Sequence, residues 1–63
     1  MRTFRVRIFE NNGNWFFRWD NVHVPTVCGV TMPLRTKQEA ESQKKDFIEA
    51  ERIRHPWTVF ESA

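Results

Sequence analysis

The stretch Phe4-Arg5-Val6-Arg7-Ile8-Phe9-Glu10-Asn11-Asn12-Gly13-Asn14-Trp15-Phe16-Phe17-Arg18-Trp19-Asp20 decides the fold. Asn-Gly between two apolar-rich runs is the strongest short-range signal for a two-residue type I′ hairpin, because both central residues of that turn need positive φ. With Asn12-Gly13 at the tip, a register follows. Glu10 faces Trp15, Phe9 faces Phe16, and Ile8 faces Phe17. Arg7 then faces Arg18, Val6 faces Trp19, and Arg5 faces Asp20. Side chains alternate across a strand. One face therefore carries Phe4, Val6, Ile8, Trp15, Phe17 and Trp19, with Glu10 at its tip, and this face is a core. The other carries Arg5, Arg7, Phe9, Phe16, Arg18 and Asp20, and it forms a basic-aromatic surface.

Outward from the hairpin, Asn21 to Pro25 is a connection, since proline cannot donate to a central ladder. Thr26 to Met32 is rich in β-branched residues and predicts a third strand, ended by Pro33. Its neighbour is either of the first two strands. Gly29 inside it marks a bulge or a close backbone approach. Thr36-Lys37-Gln38-Glu39 is a capping box, in which Thr36 at the N-cap and Glu39 at N3 each cover a backbone donor of the other. A helix follows over residues 37–54, about 27 Å long. Pro56 disfavours helix at His55 and stops it. Glu39 and Glu41 near its start, and Arg52, Arg54 and His55 near its end, complement the helix dipole.

The helix offers an untidy apolar stripe of Ala40, Phe47 and Ala50. Ile48 flanks it, and Gln43, Lys44, Glu51 and Arg54 interrupt it. Ile53 lies well off the stripe and needs a cover, for which the tail over residues 56–63 is the candidate. That tail, with Trp57-Thr58-Val59-Phe60, has three readings: folded onto the core, a short edge strand, or a partner-binding arm. The expected architecture is α+β: a three-stranded antiparallel sheet (strands about 3–9, 15–20 and 26–32) packed on one C-terminal helix, within a single domain spanning residues 1–63.

A chain of 63 residues buries only about 60% of its unfolded surface, so it needs some form of reinforcement. Cys28 is its one cysteine, which excludes an intramolecular disulfide and suits a reducing compartment. Six Phe and three Trp supply large buried areas in place of a disulfide. No apolar run is long enough for a spanning segment or a signal peptide, so the expected location is cytoplasmic, the host cytoplasm if phage-encoded. The net charge of +2 is too small to argue for an anionic partner by itself. The positions of the charges carry that argument.

Arg7 opposite Arg18 is the most pointed feature. Like charges directly opposite on neighbouring strands destabilise by a few tenths of a kcal/mol up to about 1 kcal/mol. Asp20 offsets Arg5, but Arg7 and Arg18 have no local acid, and an anion on the face would relieve them. Guanidinium groups suit phosphates and guanine edges, while Phe9 and Phe16 suit a thymine methyl or a base plane. The plainer alternative is that long Arg stems shield Phe9 and Phe16 while their heads stay solvated. Lys37, at the helix start, is a further candidate for a phosphate. The mixed-sign run that includes Lys44 and Lys45 is a solvated face with pairs such as Glu41–Lys45.

Enzymatic signals are missing. His23, His55 and Cys28 match no zinc spacing, so no metal is expected. Nothing orients His23 against Cys28 as a base, and Cys28 is better placed as a small buried thiol on strand three. Gly13 and Gly29 are the only glycines, so there is no phosphate-cradling loop and no cofactor is expected.

Asn14-Trp15-Phe16-Phe17-Arg18-Trp19 and Leu34-Arg35-Thr36-Lys37-Gln38-Glu39-Ala40-Glu41, set in the strand–strand–strand–helix order, resemble the arm-type (AP2-like) DNA-binding domain at the N-terminus of phage and transposon tyrosine recombinases. The second segment is similar to the F-x-T-K-x-E-A opening of that family's helix, and the likeness covers most of residues 2–54. It implies a three-stranded sheet that enters the DNA major groove, with Arg5, Arg7, Phe16 and Arg18 in the groove. The lower net charge and Pro25 in the connection depart from the family. With no catalytic domain following, the likeness implies a free-standing accessory binder or a decoy and not a recombinase.

The expected function is a small non-enzymatic nucleic-acid-binding module, contacting double-stranded DNA through Arg5, Arg7, Phe9, Phe16 and Arg18, with Lys37 beside them. The alternative is a phage-type protein-interaction module that binds and inhibits a host protein through Trp57 and Phe60, with Phe9 and Phe16 in the same apolar patch. A homodimer through an edge strand or the helix face is the third possibility.

Overall fold

The structure, a computed structural model, describes residues 2–62, so the ends of the expected domain and tail, Met1 and Ala63, lie outside the described residues. The elements are β1 (Thr3–Asn11), β2 (Asn14–Asn21), β3 (Cys28–Val30), α1 (Lys37–Arg54) and β4 (Val59–Ser62). The hairpin has the expected tip and register. Asn12 and Gly13 have φ of 54° and 79°, as a type I′ turn requires. Arg7 faces Arg18, Phe9 faces Phe16 and Arg5 faces Asp20.

The sheet corrects the expectation of three antiparallel strands. It has four, in the order β3-β2-β1-β4, and β4 runs parallel to β1, with Thr3 opposite Val59 and Phe4 opposite Phe60. The tail is therefore an edge strand. A tight turn explains it: the N–H and Oγ1 of Thr58 both donate to the carbonyl of His55, at 3.0 and 2.8 Å. Pro56 sits second in that turn, where its fixed φ is favoured. The turn reverses the chain at the end of α1 and delivers Val59 beside Thr3.

The third strand is shorter than residues 26–32 and pairs with β2. Beyond Val30, the Oγ1 and N–H of Thr31 both bond to Phe17, and Leu34 then exchanges two backbone hydrogen bonds with Trp15. Phe16 is thus opposed by both Met32 and Pro33. This bulge lets a proline sit at the sheet edge without removing a needed donor. Gly29 fulfils the close-approach alternative: a Cβ there would lie 2.7 Å from Nε1 of Trp19. Cys28 is not buried. Its position opposite Asp20 turns it to the outer face, and it is exposed.

α1 has the expected bounds, and the Oγ1 of Thr36 accepts from the N–H of Glu39 at 3.2 Å. Among the described residues, the reciprocal Glu39-to-Thr36 bond of the box is not formed. The helix lies on the face of Phe4, Val6 and Phe17, which are 1–2% exposed. Phe47 is the hub of this core. Its ring stacks on Trp19 with centroids 4.9 Å apart and meets Phe4, Phe17 and Phe60 at 5.6, 5.7 and 6.2 Å. Such pairs are each worth about 0.5–1.5 kcal/mol beyond the area they bury.

The buried stripe differs from the expected one. It runs Ala40, Lys44, Phe47, Ile48 and Glu51, while Ala50 is exposed. Long polar stems can cover apolar surface while their heads reach water, which is how Lys44 fits a core-facing row; Glu51 instead keeps one carboxylate oxygen, Oε2, buried with no hydrogen-bond partner among the described residues. Ile53 has no cover and is 83% exposed.

Candidate nucleic-acid interface

Because α1 covers one face of the sheet, the other face is open. Register places Arg5, Arg7 and Phe9 of β1 on it beside Phe16, Arg18 and Asp20 of β2. Arg5, Arg7 and Arg18 are exposed, and Phe9, Phe16 and Asp20 are half-buried. A shallow concavity of about 280 Å³ is lined by Arg5, Arg7, Arg18, Asp20 and Pro25. Toward the hairpin tip the surface becomes aromatic. Phe9 and Phe16 stack at 5.2 Å and 15°, and the guanidinium of Arg7 lies 5.5 Å from the Phe9 ring centroid. It is thus the Arg7 head, and not its stem as in the plainer alternative, that lies over Phe9.

β3 adds Cys28 and Val30 to this face, opposite Asp20 and Arg18, and two more residues join it that alternation does not indicate. Pro25 reaches it because the β2–β3 connection curls back. Asn21 starts that curl, its Oδ1 accepting from the N–H groups of His23 and Val24 at 2.9 and 3.2 Å. An asparagine at a strand end is a known turn-former, so this signal was present in the sequence. Glu61 comes with β4, opposite Arg5, and gives Arg5 an acidic neighbour on each side. Arg7 and Arg18 still face each other.

The other candidates are spread out. Lys37 is the first residue of α1, exposed, and outside the concavity. Trp57 is 84% exposed at the apex of the His55–Thr58 turn. Phe60 points the other way, stacked on Phe4 at 6.2 Å. Trp57 lies next to the Thr3 end of β1, whereas Phe9 lies six residues along that strand, about 20 Å away at ~3.3 Å per residue. Trp57, Phe60, Phe9 and Phe16 therefore do not form one apolar patch.

Among the described residues, no group of His, Cys, Asp and Glu is placed to hold a metal ion, and no helix is long and apolar enough to cross a membrane. No protein-family model matches the chain, and no curated protein or solved structure is significantly similar to it.

Proposed function

We propose that this chain is a small non-enzymatic DNA-binding module that lays its open sheet face into the major groove of a duplex. The observation that carries the proposal is the Arg7–Arg18 pair, held opposite each other in the sheet and bordered by Arg5 and the Phe9–Phe16 stack. Folding keeps two cations side by side on this face, in a concavity that holds three arginines to one acid, Asp20, and a phosphate or guanine edge is the ligand that offsets them.

Dimensions support the same choice. β4 pairs only with residues 3–6 of β1, so toward the tip the face narrows to β1, β2 and the segment from β3 to the Leu34 bridge with Trp15. Three strands span about 10 Å between the outer two, and the major groove is about 12 Å wide. The resemblance to arm-type recombinase domains implies the same mode of entry.

Arg7→Ala and Arg18→Ala test this. Each should weaken binding to a duplex and flatten the dependence of log affinity on log salt by about 0.9 per lost phosphate contact, with the fold retained. Unchanged affinity in both variants refutes the surface.

A further inference from the structure

We propose that the hollow at the base of the molecule, lined by Arg2, Arg54, His55, Pro56, Trp57 and Thr58, binds an unpaired nucleotide, with the base on the Trp57 indole and the phosphate between Arg2 and Arg54. This site is separate from the open sheet face and does not depend on it.

The hollow is built on fixed backbone. Thr58, 8% exposed, ties the turn through its two hydrogen bonds to the His55 carbonyl. The N–H of His55 donates to the Glu51 carbonyl at 2.7 Å on one side of the turn, and that of Val59 to the Arg2 carbonyl at 2.8 Å on the other. Trp57 is thus held at the apex of a clamped turn.

Its exposure sets it apart from the other aromatic residues, all of which are buried or half-buried. Phe4, Phe17, Trp19, Phe47 and Phe60 all join the core, while Trp57, at 84% exposed, contributes nothing to it. The hollow also has a one-sided lining of two guanidinium groups and an imidazole, with no carboxylate. A flat aromatic surface beside cations is the arrangement that holds single-stranded nucleic acid, where bases stack and backbone phosphates are neutralised.

The alternatives use only half of this chemistry. A bare phosphate leaves Trp57 without a role, and an apolar peptide leaves the guanidinium groups without one. A duplex stacks its bases on one another and offers no free base face along its length. The volume of about 330 Å³ lies at the small end of ligand sites, roughly 300–1,000 Å³, which suits a single nucleotide of a strand.

The test is a titration of the full-length, ¹⁵N-labelled protein with hexathymidylate at low and moderate salt, following the Trp57 indole N–H and the backbone amides of residues 54–58. The proposal expects the Trp57 indole signal to move most. Stacking is worth about 1–3 kcal/mol per base, so Trp57→Ala should weaken binding by about 5- to 150-fold, with Trp57→Phe closer to the wild type. Arg2→Ala and Arg54→Ala should weaken binding and flatten its salt dependence. Trp57 lies outside the core, so its replacement leaves the fold intact.

Hexathymidylate binding unchanged in Trp57→Ala, no binding at low salt, or inorganic phosphate binding as tightly as hexathymidylate each overturns the proposal. Failure of the sheet-face function is read separately, from Arg7→Ala and Arg18→Ala against a duplex.

Discussion

Replacing Arg18 with glutamate should stabilise the free protein, although it removes a residue proposed to bind DNA. Arg18 faces Arg7 across the β1–β2 ladder. The concavity they share is lined by Arg5, Arg7, Arg18 and Asp20, three cations to one acid, and Arg18→Glu makes it two of each. A like-charged cross-strand pair costs, and an opposite pair contributes, about 0.2–1 kcal/mol. The swing is therefore about 0.4–2 kcal/mol, and the exposure of both side chains places it near 1 kcal/mol or below. In a domain of this size 1 kcal/mol moves Tm by about 4–8 °C.

Thermal unfolding followed by circular dichroism at about 0.01 M salt should show a rise of a few degrees. The gain should shrink toward 1 M salt, as the screening length falls from about 30 Å to about 3 Å. Arg18→Gln controls for strand propensity and should fall between the two. A double-mutant cycle with Arg7→Gln isolates the pair term. A Tm that is unchanged or lower in Arg18→Glu at 0.01 M salt refutes the idea that this face carries unrelieved repulsion. The stabilised variant should bind DNA less well, an opposition between stability and function common at binding sites.

Three further outcomes follow from the core and the helix cap. Phe47→Ala removes the ring that touches four other aromatics and should cost about 3–5 kcal/mol. Against a total stability of roughly 3–9 kcal/mol for a chain this short, that loss should lower Tm by more than about 10 °C, and a wild-type Tm would contradict the assignment of Phe47 as the hub. Gly29→Ala sets a methyl 2.7 Å from Trp19, whose indole is backed by Phe47. A cost of about 1–3 kcal/mol and a shift in tryptophan emission are expected in urea unfolding. Thr36→Ala removes the N-cap acceptor and should cost about 1 kcal/mol by the same assay.

What could be read from the sequence was what local chemistry dictates. Asn12-Gly13 admits one turn, and that turn fixes every pair from Arg5–Asp20 to Glu10–Trp15. Thr36 and Pro56 bound α1 through signals within one turn of its ends. β4 was harder because parallel pairing is non-local, and Val59-Phe60-Glu61-Ser62 has no flanking signal of its own. Its one pointer lies before the strand: Pro56 both stops the helix and opens the His55–Thr58 turn that brings Val59 beside Thr3.

The outward face of Cys28 is not legible because the face of a third strand depends on its register with β2, and the Val22–Val27 connection carries no two-residue turn to set it. The helix stripe is obscured in the sequence because Lys44 and Glu51 break the apolar pattern, although their long stems line a small core. Of the proposed DNA-binding face, the arginines and phenylalanines were legible from alternation alone. Pro25 and Glu61 were not, because both arrive through chain reversals.

The most direct measurement is a backbone-amide NMR titration of the protein with a short duplex of mixed sequence, at low and moderate salt. The DNA-binding proposal predicts shifts clustered on residues 5–9 and 16–18 that diminish as salt rises. No shift of those amides at low salt, or shifts confined to the helix, would contradict it.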